Sequence, residues 1–152
     1  MIEFLTGRSG GIGTPYWRPF YHLVWATKNR EPWIDQRHHD GLLKELRAII
    51  NDHRAIVHAI GIMPNHIHVV ISIPPSVSIS KVVGSMKGSS SRFLNILCQP
   101  GRSDSFAWQD EYSVHSFAEK NLPDVIKYVN NQPAHHAANR TWAKLACAAS
   151  RD

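Results

Sequence analysis

Apolar positions recur along this chain with two spacings. Period two marks strands, whose side chains alternate faces, and a period near 3.6 marks helices with one buried stripe. Tyr21–Thr27 (Y-H-L-V-W-A-T) is β-prone and predicts a first strand. Asp35 is a fair N-cap for a helix through about Asp52, with Leu42, Leu43, Leu46, Ile49 and Ile50 as its stripe and Gly41 weakening its first turns. Ala55–Ile62 predicts the second strand, and Met63-Pro64-Asn65 a tight connection. The next strand returns antiparallel within Ile62–Ile73 and ends at Pro74-Pro75. A second helix starts from a Ser78 cap and buries Ile79, Val82, Val83, Met86, Phe93, Leu94 and Leu97. Phe106–Phe117 predicts a last strand or hairpin edge. Asn121 opens a third helix, with Asp124 as capping-box partner, Pro123 in the first turn, and Leu122, Val125, Ile126 and Val129 turned inward.

The order strand, helix, strand, strand, helix, strand, helix predicts an α+β protein. It is a ferredoxin-like split β-α-β antiparallel sheet with an additional C-terminal helix, two layers around one core. A chain of 152 residues is the size of one domain. The expected division is a flexible N-terminal segment over 1–20, one domain over 21–138 and a tail over 139–152. Many functions use this fold, so it decides little alone.

Charge narrows the partner. The formal net charge is +5 with histidines neutral, which favours an anionic partner, nucleic acid first. Lys81, Gly84, Lys87, Gly88, Ser91 and Arg92 share the second helix's outer face, where small residues beside basic ones admit a phosphate backbone. A solvated Gly/Ser-rich face is the competing reading. Arg30 in a charged turn, with Arg8 and Arg18, offers further contacts. The two cysteines, Cys98 and Cys147, form no C-x-x-C pair and fit a reducing compartment. No apolar run reaches membrane-span length, so a cytoplasmic protein is expected.

The candidate chemistry lies in I-M-P-N-H-I-H-V-V-I-S-I (62–73). His66 and His68 leave one face of a strand, while Ile67, Val69, Ile71 and Ile73 line the other. Two imidazoles on one face can chelate a metal ion, but they can equally be two polar residues on a half-buried strand. The third helix displays Tyr128 and, four residues on, Gln132, neighbours on one helical face. Tyrosine, with a pKa of about 10, is a weak nucleophile unless a metal polarises the phosphoryl group it attacks. Gln132 offers that metal an amide oxygen. Pro133 follows Gln132 directly and disfavours helix at the residue before it.

Five pieces in order carry a family resemblance: Y-H-L-V-W-A-T-K-N-R (21–30), G-I-M-P-N-H-I-H-V-V-I (61–71), S-M-K-G-S-S-S-R-F-L-N (85–95), F-A-W-Q-D-E-Y (106–112) and Y-V-N-N-Q-P-A-H-H (128–136). The chain resembles the single-tyrosine transposases of the HUH superfamily, of the insertion-sequence 200/605 type, with their domesticated and REP-associated relatives. The resemblance implies His66 and His68 as metal ligands, Gln132 completing the site, Tyr128 as nucleophile and Mg²⁺ or Mn²⁺ as cofactor. It further implies cleavage and rejoining of single-stranded DNA at hairpin-marked ends through a 5′-phosphotyrosine, by a homodimer. Two rivals stand beside it: a non-catalytic hairpin-binding protein on the same fold, and a metal-dependent phosphoesterase with water as nucleophile.

Overall fold

The structure, a computed structural model, describes residues 16–98 and 103–132. It contains the strands β1 (Phe20–Ala26), β2 (Ile56–Met63), β3 (His66–Ser72) and β4 (Ser113–Phe117), and the helices α1 (His39–Asp52), α2 (Ile79–Cys98) and α3 (Leu122–Asn130). The expected tail over 139–152, Arg8 and Pro133 lie outside the described residues, as does the expected N-terminal segment apart from residues 16–20. The strands form one sheet in the order β2-β3-β1-β4, with every pairing antiparallel. This is the ferredoxin-like split β-α-β arrangement.

β3 is central, and each of its seven residues is buried. Its Ile67, Val69 and Ile71 join Leu23 and Trp25 of β1 in the main core. Leu42, Leu46 and Ile50 of α1 cover that face together with Val82, Val83, Met86 and Leu94 of α2. Burying an aliphatic side chain of this size contributes about 1.5–3 kcal/mol, so this face dominates stability. Gly41 of α1 has a packing reason: a Cβ there would lie 2.5 Å from Cζ of Phe93 on α2. Leu97, expected in the α2 stripe, is instead 43% exposed.

α3 packs on the opposite face of the sheet. There Tyr128 and Val129 meet Ala59 of β2 and Val70 of β3, with Phe117, Leu122, Val125 and Ile126 around them. The protein therefore has three layers and two apolar clusters, where two layers around one core were expected. Helical periodicity says that a helix has a buried stripe but not which sheet face receives it.

Two further expectations are corrected. Of Phe106–Phe117, only Ser113–Phe117 forms a strand, and the preceding segment touches the sheet through a single bridge, Thr27 to Trp108. Its rings are drawn into the core instead. Phe106 stacks edge-on against Trp33 and Trp108, and Trp108 donates from Nε1 to Ser90 Oγ. Asn95 of α2 pairs both backbone groups of Phe106 at 2.8 and 3.0 Å, which removes them from any ladder. Asn121 makes no side-chain cap. It is αR and ends a 3₁₀ turn, Glu119–Asn121, that runs into α3. Similarly, Asp35 opens a 3₁₀ turn, Gln36–His38, ahead of α1. The Ser78 cap is present: its Oγ accepts from the Lys81 N–H at 3.2 Å.

Candidate active site

The sheet face beneath α3 follows from strand alternation. Residues out of phase with the core-facing Ile67, Val69 and Ile71 are His66, His68 and Val70. In register beside them are Met63, Gly61 and Ala59 of β2 and Ala26, Val24 and His22 of β1. His115 of β4 lies directly across from His22. A central strand with both neighbours paired holds its side chains in fixed directions, which a two-imidazole site requires.

The imidazoles are held at their Nδ1 atoms. His66 Nδ1 lies 2.7 Å from Asn65 Oδ1. The Asn65 amide is oriented by donation from Nδ2 to the Arg30 carbonyl at 3.3 Å, so its oxygen accepts and His66 Nδ1 donates. In the neutral ring the lone pair is then on Nε2, the nitrogen suited to a metal. His68 Nδ1 lies 2.9 Å from His22 Nε2, and the two rings stack at 5.1 Å. The His66 and His68 rings are 5.0 Å apart at 70°. Burial, and secondarily the nearby His115, push the His22 pKa down to about 4, so this imidazole is neutral at pH 7.

α3 brings Tyr128 onto this group. Its ring stands edge-on to His68 at 6.1 Å and to His22 at 6.2 Å. The approach depends on Gly61: a Cβ there would lie 2.9 Å from the Val129 carbonyl oxygen and 3.0 Å from Val129 Cγ1. Gln132 is buried, at 1% exposure, close after the end of the helix. α3 stops at Asn130, and the Asn131 N–H bonds to the Lys127 and Val129 carbonyls. The turn from Tyr128 to Gln132 loosens at Asn131 (φ −96°, ψ 7°) but keeps its Asn131 N–H to Lys127 carbonyl bond, and both side chains are buried.

Among the described residues, no group of three or more His, Cys, Asp or Glu side chains is placed to hold a metal ion. A centre here rests on two imidazoles and needs a third ligand of another kind. Gln132 is the buried side chain on this segment with an amide oxygen to offer. Two imidazoles and an amide oxygen leave positions open for a phosphate oxygen and water. The residues fit a labile divalent ion.

The basic residues are spread out. Lys81 and Arg92 are exposed on α2, and a Cβ at Gly84 or Gly88 would meet nothing within 4 Å. Lys87 donates to the carbonyls of Gln109 and Asp110 at 2.5 and 2.9 Å, tying the irregular segment to α2. Desolvation lowers its pKa, against the opposing pull of Asp110. Arg30 is half-buried at positive φ next to Asn29, and its carbonyl serves Asn65. Arg18 pairs with Glu119 ahead of α3. Sequence reasoning missed His22, His115, the close approach at Gly61 and the orienting role of Asn65. A signal for His22 existed: it is out of phase with Leu23 and Trp25, and so faces away from the core.

A strand bearing two histidines thus lies beneath a tyrosine-bearing helix, and comparison with known families gives the class of the protein. The family described as "Transposase IS200 like" matches residues 16–132, and the chain belongs to it. The ISDra2 transposase TnpA of Deinococcus radiodurans is 27% identical over 115 residues, covering 74% of this chain and 82% of that protein. A crystal structure described as a transposase from Deinococcus radiodurans R1 superposes with a TM-score of 0.62 at 27% identity, covering 81% of this chain and 98% of that one. A REP-associated tyrosine transposase bound to a REP hairpin shares the fold, with a TM-score of 0.61 at 16% identity over 82% of this chain and 74% of that one.

Proposed function

We propose that this transposase cleaves and rejoins single-stranded DNA at hairpin-marked ends, with Tyr128 as nucleophile and Mg²⁺ or Mn²⁺ held by His66, His68 and Gln132. The observation that carries the reading is the edge-on placement of the Tyr128 ring 6.1 Å from that of His68. A phenol set beside a two-imidazole face is the pairing that phosphoryl transfer to tyrosine needs. The hairpin bound by the REP-associated structural neighbour supports the class of DNA.

In the forward step the Tyr128 oxygen forms a bond to phosphorus and the bond to the 3′ oxygen breaks. The phenol loses its proton, and the departing 3′ oxygen gains one. The 5′ side stays on the protein as a phosphotyrosine. In the reverse step a 3′-OH attacks that phosphorus and frees Tyr128. A bound divalent ion would supply charge neutralisation at the phosphoryl oxygens. The protein's own part is positioning: β3 fixes the two imidazoles, Asn65 orients His66, and α3 aims the phenol. Lys81, Lys87, Arg92 and Arg30 are proposed phosphate contacts, and a homodimer is the proposed working form.

The test is a covalent protein–DNA adduct on hairpin-bearing single-stranded DNA with Mn²⁺. Wild type should form the adduct. Tyr128→Phe should not, while binding the hairpin within a few-fold. Hairpin binding by wild type without cleavage would favour a pure binding protein. Cleavage without an adduct would favour water as nucleophile.

A further inference from the structure

His22 sits in β1, outside the paired-histidine motif, and is wholly buried. Its Nε2 is 2.9 Å from His68 Nδ1, with the rings stacked at 16°. A hydrogen bond between two imidazole nitrogens needs one N–H and one lone pair. If His22 donates, a neutral His68 carries its proton on Nε2 and offers no lone pair there. If His68 donates, its lone pair is on Nε2 and its ring is fixed in the orientation that ligates. Its Nδ1 cannot ligate in either case, being taken by His22. His66 has the same arrangement with a different partner, the Asn65 amide oxygen at 2.7 Å.

We propose that His22 is a positioning residue that accepts the His68 Nδ1–H and so holds His68 as the tautomer presenting Nε2 to a divalent ion. The inference rests on the metal reading above and adds a residue to it. The assignment requires the His22 proton to be on Nδ1. That atom is buried and has no hydrogen-bond partner among the described residues, and neither has His115 Nε2. The two residues are paired across β1 and β4, with rings 6.5 Å apart. The two nitrogens make no direct bond, and one bridging water would satisfy both, with His115 Nε2 as the eventual acceptor. The three imidazoles His115, His22 and His68 form a row along one sheet face that hands a preferred tautomer inward to the site. His22 is turned to His68, with Nε2 engaged there.

The experiment combines nitrogen-15 NMR of the imidazoles with calorimetric Mn²⁺ titration, in wild type, His22→Phe and His22→Gln, with circular dichroism as the folding control. Phe keeps a flat ring and removes the acceptor. Gln places an amide oxygen near the original Nε2. Metal-free wild type should show His68 protonated on Nδ1. His22→Phe should shift His68 toward the Nε2–H form and weaken Mn²⁺ about 10- to 100-fold, as loss of an orienting partner does. His22→Gln should restore both in large part, which a merely space-filling role would not. A wild-type His68 protonated on Nε2 would overturn the proposal without any variant. So would folded His22→Phe with an unchanged tautomer. Wild type that binds no Mn²⁺ while His68 still follows His22 in the NMR would sink the metal reading and leave the tautomer assignment standing.

Discussion

Gly61→Ala is a one-carbon change that tests how α3 is held over the site. The added Cβ would lie 2.9 Å from the Val129 carbonyl oxygen, against an ordinary contact distance of 3.4 Å or more, so the helix or the strand must give by about 0.5 Å. The opposing atom is backbone, so no rotamer change relieves it. Overpacking of this kind costs about 1–3 kcal/mol. Removing a glycine's freedom from the unfolded chain returns about 0.4–1 kcal/mol where the native φ is compatible. Net destabilisation of about 1–2 kcal/mol is expected. The functional effect should be larger than that figure suggests, because Tyr128 is adjacent to Val129. A misplacement of 1 Å at a reacting group costs about 100-fold, so half that shift costs on the order of tenfold in adduct rate. Urea denaturation reads the first number, and single-turnover adduct formation at saturating Mn²⁺ the second. Gly88→Ala is the control for the stability reading alone: its Cβ meets nothing within 4 Å, and alanine in a helix is favoured by up to about 1 kcal/mol. If Gly61→Ala kept wild-type stability and wild-type adduct rate, α3 would not be seated against Gly61 as the structure has it.

His66→Ala and His68→Ala should each abolish Mn²⁺ binding in calorimetry at about pH 7.5 while the fold persists. Wild-type affinity should itself fall at about pH 5.5, since only neutral imidazole ligates; equal affinity in wild type and a folded His66→Ala would remove the metal assignment. Metal-free protein should lose stability on acidification. The folded pKa of His22 is depressed from 6.5 to about 4, so its contribution is present above pH 6.5 and fades as pH falls toward 4. The loss amounts to about 2 kcal/mol by pH 5 by linkage, readable as a shift in the urea midpoint that His22→Gln should reduce. Neutralising Lys81 and Arg92 together should lower the salt dependence of single-strand binding by about 0.7 in log–log slope per lost contact. An unchanged slope would place the DNA away from the outer face of α2.

What could be read from residue order alone was whatever depends on local chemistry. Strand alternation put His66 and His68 on one face of an apolar strand, and β3 is that strand. Helical spacing found α1 and α2 with their core residues, because 3.6-residue periodicity is a property of one helix and needs no partner. The tyrosine helix was found the same way, and its ordered motifs pointed to the family to which the chain belongs.

Tertiary structure decided everything that depends on which surfaces meet. α3 covers the face opposite α1 and α2, the face that carries the histidines, so Tyr128 meets them there. Gly61 reads as a strand glycine until the Val129 carbonyl is seen to rest on it. Phe106 and Trp108 have strand-like composition, yet their rings gain more from the core, and Asn95 takes up the backbone groups a ladder would have used. His22 and His68 are 46 residues apart in the chain. Their hydrogen bond exists because β1 pairs with β3 in one particular register, and no local pattern specifies the register between strands separated by a helix.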